Sequence, residues 1–294
     1  MQLLVLLAVL LITALLALAA DPPTRPKITP ARETADGLLS HGVTSVYQRG
    51  ANDVEVLPPD KLEPGRRYPV LYVLPVNTGT RGPWGSGILE AKRLNLHNRL
   101  GLICVAPAFD SMPWYADHPT DPAVRQESYI LKVLLPMIEK RYPVLAEPKG
   151  RLLVGFSKSG LGAWSLLLRH PDIFGRAASW DAPLAEEKLA SWGTGPTFGT
   201  QENFEKYRIT DLLERRAELL RKDKDPRRLI LLGYGSFKGH VDTVHRRMQS
   251  LGIPHVCENT TERRHDWRSG WLEGAVTALC AKAGPKAGTP GPKS

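Results

Sequence analysis

Cysteine is scarce in this chain, three in 294 residues. Cys104, Cys257 and Cys280 form no CxxC pair and show no zinc-finger spacing, so neither a redox motif nor a metal-built scaffold is expected. Cys104 lies inside the apolar run GLICVAPAF, where a thiol behaves as a small buried hydrophobe. A Cys257–Cys280 bridge would suit an oxidising compartment, but spacing leaves it open. Aromatic residues make up 7% of the chain. They do not interleave the basic clusters Arg66-Arg67, Arg246-Arg247 and Arg263-Arg264, so the net charge of +9 reads as solvated surface. A base-stacking platform is not indicated, and no nucleic-acid partner is expected. Internal repeats are lacking too.

A long apolar run occurs once, in the first twenty residues, MQLLVLLAVLLITALLALAA. It lacks charged side chains and ends in small residues, with Ala17-Leu18-Ala19 as an A-x-A cleavage site. Residues 1–20 therefore read as a secretory signal peptide, with an uncleaved anchor as the alternative; no cysteine follows it to carry a lipid. The expectation is a secreted or periplasmic protein with no stable membrane insertion once the leader is removed. Residues 21–40 read as a Pro-rich N-terminal extension, 41–281 as one large domain, and 282–294 as a flexible tail.

Within that domain, apolar runs alternate with helical patterns. Strands are predicted at Val43–Gln48, Val54–Leu57, Val70–Pro75, Leu102–Ala106, Leu152–Gly155, Ala177–Trp180, Leu229–Gly233 and His255–Glu258. The first three have no helices between them, which predicts antiparallel hairpins. Helices then intervene, which predicts right-handed crossovers and a mostly parallel sheet of about eight strands with helices on both faces. Asp121-Pro122 signals a helix start, with Tyr129, Ile130, Val133, Leu134, Met137 and Ile138 on its buried face. Further helices are predicted over Ile209–Arg221 and after Gly239 and Gly270. The irregular, Gly- and Pro-bearing segment 182–207 reads as a cap insertion.

The stretch RLLVGFSKSGLGAW passes from strand to helix with no linker. Chemistry in a parallel sheet collects at the C-terminal ends of strands, where Ser157 would stand. A serine held on so sharp a turn needs small neighbours two residues to either side, and Gly155 and Ser159 supply them. The helix that follows aims its N-terminus at the site, and the Lys158 amide becomes an oxyanion donor. A serine hydroxyl needs a base. His265, in the loop between the last strand and the last helix, stands where chain order puts it; His240, His245 and His255 read as helix or strand surface residues. The bland alternatives are a turn serine and a loop histidine.

PVLYVLPV, GFSKSG and HDWRSGW, in this order and spacing, resemble the "putative esterase" family of α/β-hydrolases, which includes esterase D, feruloyl and acetylxylan esterases and the mycolyltransferases. The resemblance covers roughly Tyr68 to Leu279. It implies an α/β-hydrolase fold, a Ser-His-acid triad, a carboxylic-ester substrate, and neither metal nor organic cofactor. The family reads His-Gly after its third strand, where this chain has Pro75-Val76; the second oxyanion donor then falls to the amide of Val76 or Asn77. The family also expects an acid just after the strand that precedes the histidine, and LILLGYGS carries none. Asp181, at the exit of GRAASWDAPL, is the preferred acid, as in hydrolases that take it from the earlier strand. The bland reading of Asp181 is a turn residue, and Asp242 is the reserve although its surroundings look helical. Trp84, Trp114, Tyr115 and Trp180 lie near strand exits as candidate pocket residues. The function expected is a secreted serine esterase acting on small-molecule or polysaccharide-linked acyl esters. The alternatives are an acyltransferase of the same fold and a catalytically silent binding protein.

Overall fold

A computed structural model describes residues 25–189 and 192–281. The strands are β1 (Lys27–Ile28), β2 (Arg32–Glu33), β3 (Leu39–Thr44), β4 (Ala51–Leu57), β5 (Val70–Val73), β6 (Ile103–Pro107), β7 (Arg151–Phe156), β8 (Arg176–Trp180), β9 (Leu229–Tyr234) and β10 (Val256–Glu262). They form one sheet in the order β1-β3-β4-β6-β5-β7-β8-β9-β10, with β2 also on β3. Strands β6 to β10 and β5 run parallel; β1 to β4 join antiparallel. Helices α1 (Gly87–Arg93), α2 (Leu96–Arg99), α3 (Gln126–Tyr129), α4 (Leu135–Arg141), α5 (Ser157–Arg169), α6 (Gly195–Phe198), α7 (Gln201–Glu205), α8 (Ile209–Asp223), α9 (Lys238–Ser250) and α10 (Leu272–Cys280) complete it. This is the α/β-hydrolase architecture.

Strand β7 shows how the sequence makes two layers. Leu153 packs with α5 and α8 on one face, while Leu152 and Val154 pack with α1 and α10 on the other. Alternate side chains leave a strand on opposite faces, so a run apolar at every position belongs in the middle of a covered sheet. The same rule explains a departure from the hairpin expectation. Every residue of β5 is buried, and it lies between β6 and β7, parallel to both, rather than against β4. The alternating β4, with Ala51 and Asp53 exposed, instead pairs antiparallel with β3 and β6.

Three other expectations shift. The first predicted strand lies earlier, at Leu39–Thr44, because its hairpin partner sets a register of Leu39 on Val56 and Thr44 on Ala51. The described part of the N-terminal extension joins the sheet, since β1 and β2 both pair with β3. Asp121 caps a turn, accepting from the Ala123 amide at 2.9 Å and pairing with Arg49, and the helix starts only at Gln126. That helix passes through a π turn, Ile130–Leu134, before α4. Pro136 has no N–H and its ring crowds the preceding turn; the wider turn relieves both. The buried face from Tyr129 to Ile138 is as predicted.

All three cysteines are free, so no Cys257–Cys280 bridge forms, and burial pushes the Cys104 thiol up to about 12. Among the described residues, no helix is long and apolar enough to cross a membrane. The leader 1–20 and the tail 282–294 lie outside the described residues.

Candidate active site

Ser157 is the junction of β7 and α5, and its φ of 53° puts a non-glycine residue in the left-handed region. Such strain persists only where the surroundings over-determine it. Here the Ser157 amide donates to the Asp181 carbonyl at 3.1 Å. Ser159 fixes the other side: its hydroxyl accepts from the Phe156 amide at 3.1 Å and donates to the Phe156 carbonyl at 2.8 Å. The serine in the second glycine's usual place therefore staples the turn. Gly155 has no such latitude, because a Cβ there would lie 2.3 Å from the Ser159 carbonyl oxygen.

Asp181 follows β8, also at positive φ, and its side chain is fully buried. Its Oδ2 lies 2.5 Å from His265 Nδ1. The Ser236 amide donates to Oδ2 at 2.9 Å and the Phe237 amide to Oδ1 at 2.7 Å. Burial pushes this carboxyl up, but the His265 side chain and the amides of Gly235, Phe237 and Ser236 outweigh it and hold the group below its ordinary value. The exit of β9, which carries no acid, instead cradles one with backbone donors. A Cβ on Gly235 would stand 2.6 Å from Asp181 Oδ2, so this approach needs glycine. Sequence reasoning missed these donors, although two glycines in GYGSF are a signal of close backbone approach.

His265 is held where β10 ends. The Arg263 amide donates to the Tyr234 carbonyl at 2.9 Å, tying the loop to β9. Phe156 (4.9 Å between ring centroids), Trp84 (5.7 Å), Phe237 (5.8 Å) and Trp180 (6.2 Å) surround the imidazole. Nδ1 faces the carboxylate, leaving Nε2 for other partners. Asp242 is elsewhere: on α9 it pairs with Lys238 at 2.5 Å and accepts from Asn259 at 3.1 Å.

The candidate oxyanion donors sit on separate elements. Lys158 is the second residue of α5, its amide in the first turn and its side chain half-buried with Nζ 5.9 Å from the Trp114 ring. Burial lowers its ammonium below the ordinary value. Val76 is buried just beyond β5, and Tyr115 donates its hydroxyl to the preceding Pro75 carbonyl at 2.5 Å.

Of the four aromatic candidates, Trp84 is 41% exposed and stands edge-on to His265, open to a ligand. The other three are buried. Trp114 donates to the Gly193 carbonyl at 3.1 Å. Tyr115 has no exposed surface, so the expectation that it lines a pocket gives way to a bracing role. Trp180, equally buried, borders a small cavity beside Gly233, Gly270 and Trp271. Tyr115 pins the Pro75 loop, and Trp180 stacks on Trp271 at 5.2 Å behind the imidazole. Segment 182–207 carries α6 and α7, with Phe198 and Phe204 in the core and exposed Trp192 against Phe237.

The model of the family described as "Putative esterase" matches residues 50–236. Two curated esterases of Mycobacterium tuberculosis, Esterase MT1326 (strain CDC 1551 / Oshkosh) and Esterase Rv1288 (strain ATCC 25618 / H37Rv), are each 31% identical over 131 residues. That match takes in 44% of this chain and only 28% of either relative's length. Among solved structures, a ferulic acid esterase gives a TM-score of 0.63 at 18% identity, covering 87% of this chain and 97% of the other. An S-formylglutathione hydrolase from Agrobacterium tumefaciens gives 0.60 at 17% identity, with coverages of 86% and 96%. Mycobacterium tuberculosis MPT51 gives 0.62 at 15% identity, with coverages of 85% and 97%.

Proposed function

The chain belongs to the "putative esterase" family, and on that premise we propose that it hydrolyses carboxylic esters through an acyl-serine intermediate. One observation carries the reading. Ser157 is strained on a strand-to-helix turn, bonded through its amide to Asp181, whose carboxylate holds His265 at 2.5 Å. In the proposed reaction, Ser157 Oγ adds to the ester carbonyl carbon as its proton passes to His265 Nε2. The carbonyl oxygen becomes an oxyanion and is met by the amides of Lys158 and Val76. Collapse of this adduct expels the alcohol, which takes the proton from His265. Water then repeats the sequence against the acyl-serine, leaving a carboxylic acid and free Ser157. Asp181 keeps the imidazole in the tautomer that presents a bare Nε2 and stabilises the imidazolium while the proton is held.

The substrates proposed are acyl esters linked to carbohydrate, and the site of action is outside the cytoplasm. Support for the first comes from the likeness to a ferulic acid esterase and from Trp84, a half-exposed aromatic face beside the imidazole. Support for the second is the apolar leader. The test is acid release from acetylated and feruloylated xylo-oligosaccharides, compared with small alkyl esters of the same acids. Turnover of the oligosaccharide esters, abolished in Ser157→Ala, supports the reading. Turnover of alkyl esters alone removes the carbohydrate part. Acyl transfer to added alcohol in preference to water identifies an acyltransferase, and no turnover of any ester identifies a silent binding protein.

A further inference from the structure

Helix α9 and the start of β10 bring together three side chains that the sequence keeps ten and two residues apart. His245 Nδ1 lies 2.9 Å from His255 Nε2, and the Cys257 sulfur completes a group whose ligand atoms all lie within 4.8 Å of one another. We propose that His245, His255 and Cys257 form a zinc-type divalent metal site that ties α9 to the edge strand β10. The site is separate from the esterase reading. It stands at the N-terminal end of β10, with about 20 Å of strand between it and the loop that carries His265.

The hydrogen bonds set the tautomers. A carbonyl can only accept, so His255 Nδ1–H donates to the Ile253 carbonyl at 2.8 Å. In the neutral ring this leaves Nε2 with its lone pair free, and His245 Nδ1–H is the donor that meets it. An imidazole whose second nitrogen is fixed by a backbone carbonyl is the usual arrangement of a metal-ligating histidine. Two imidazoles and a thiolate suit zinc, and would leave one position of a tetrahedron to water. In such a shell the ligand atoms stand about 3.4 to 3.6 Å apart, given bonds of about 2.0 to 2.3 Å. The atoms here reach that spacing by movements of about 1 Å. All three residues are partly exposed, so an ion has a path in. The nearest carboxylate on α9, Asp242, is engaged by Lys238 and Asn259 and is not required. On binding, the thiol releases one proton, and His245 moves its own proton from Nδ1 to Nε2, so one proton leaves per ion.

Strand β10 is the sheet's edge and pairs only with β9 among the described strands. A metal at its entry would anchor the strand that delivers His265. The test is calorimetric titration of the full chain, freed of metal with chelator, with Zn²⁺, and optical titration with Co²⁺. The expected result is one Zn²⁺ per chain with release of one proton, a higher thermal midpoint, and a thiolate-to-cobalt charge-transfer band. Cys257→Ser should abolish that band. Both Cys257→Ser and His255→Ala should weaken Zn²⁺ at least about tenfold, while fluorophosphonate labelling of Ser157 shows that the variants are folded. Absence of Zn²⁺ binding to the wild-type chain, or binding and a cobalt spectrum unchanged in both variants, overturns the proposal.

Discussion

Asp181 takes part in three arrangements at once: its carbonyl accepts from Ser157, its carboxylate from His265, and the same carboxylate from the loop after β9. Asp181→Asn keeps the shape but offers an N–H to Nδ1, favouring the wrong tautomer. We expect kcat to fall by about 10⁴-fold, the scale of the same change in a serine protease. Asp242→Asn, on the outer helix, should leave kcat within about twofold, and ester-hydrolysis kinetics of the two variants separate these outcomes. Gly235→Ala tests the cradle: its Cβ would push on Oδ2, so we expect kcat to drop at least about tenfold with KM little changed. A Gly235→Ala enzyme of full activity would mean that the amides do not position the acid. The strand-to-helix turn at Ser157 and the loop that carries His265 were legible because each depends on local residue order. Asp181 as the carboxylate beside His265 was legible only by elimination, since a carboxylate on one strand and its donors on another meet through sheet order, which no local pattern encodes.

At the scale of elements, Glu127 on α3 joins three segments. Its carboxylate accepts from Arg169 at 2.7 and 3.0 Å, contacts His170 at 2.6 Å, and accepts from the Tyr207 hydroxyl at 2.8 Å. Burial pushes this carboxyl up, but the bonds from His170 and Arg169 outweigh it and lower it from 4.5 to about 2. A depressed pKa stabilises the fold above the unfolded value and loses that contribution as pH falls through the folded one. The contribution should therefore be complete above about pH 5 and disappear as the pH falls toward 2. Glu127→Gln should cost about 3 kcal/mol at neutral pH, because a buried pair broken on one side leaves Arg169 uncompensated. Denaturant unfolding at pH 7 and pH 3 checks both: the gap between wild type and variant should shrink at the lower pH. The strand runs themselves were readable from their apolar content. Their neighbours were not, and β5 shows why: a strand buried on both faces announces that it is central without naming what flanks it. The helix after Asp121 began late because Asp121 is drawn to Arg49 and Ala123 instead of to a helical amide.

For the whole molecule, parallel β5 to β10 gather Val76, Ser157, Asp181 and His265 at one end of the sheet from four different crossings of the chain. The parallel half followed from the alternation of strands with helices, and the antiparallel β3–β4 hairpin from the lack of a helix between its strands; β1 and β2, two residues each, are too short to carry a pattern. The central claim is that Ser157 is the nucleophile of this assembly. The direct measurement is the intact mass and peptide map of the chain after a fluorophosphonate probe, paired with ester turnover by wild type and Ser157→Ala. The account predicts one adduct per chain, on Ser157, and a loss of several orders of magnitude in kcat/KM for the variant, which folds as wild type does. An adduct on another residue, or more than about a tenth of wild-type turnover in Ser157→Ala, would contradict it.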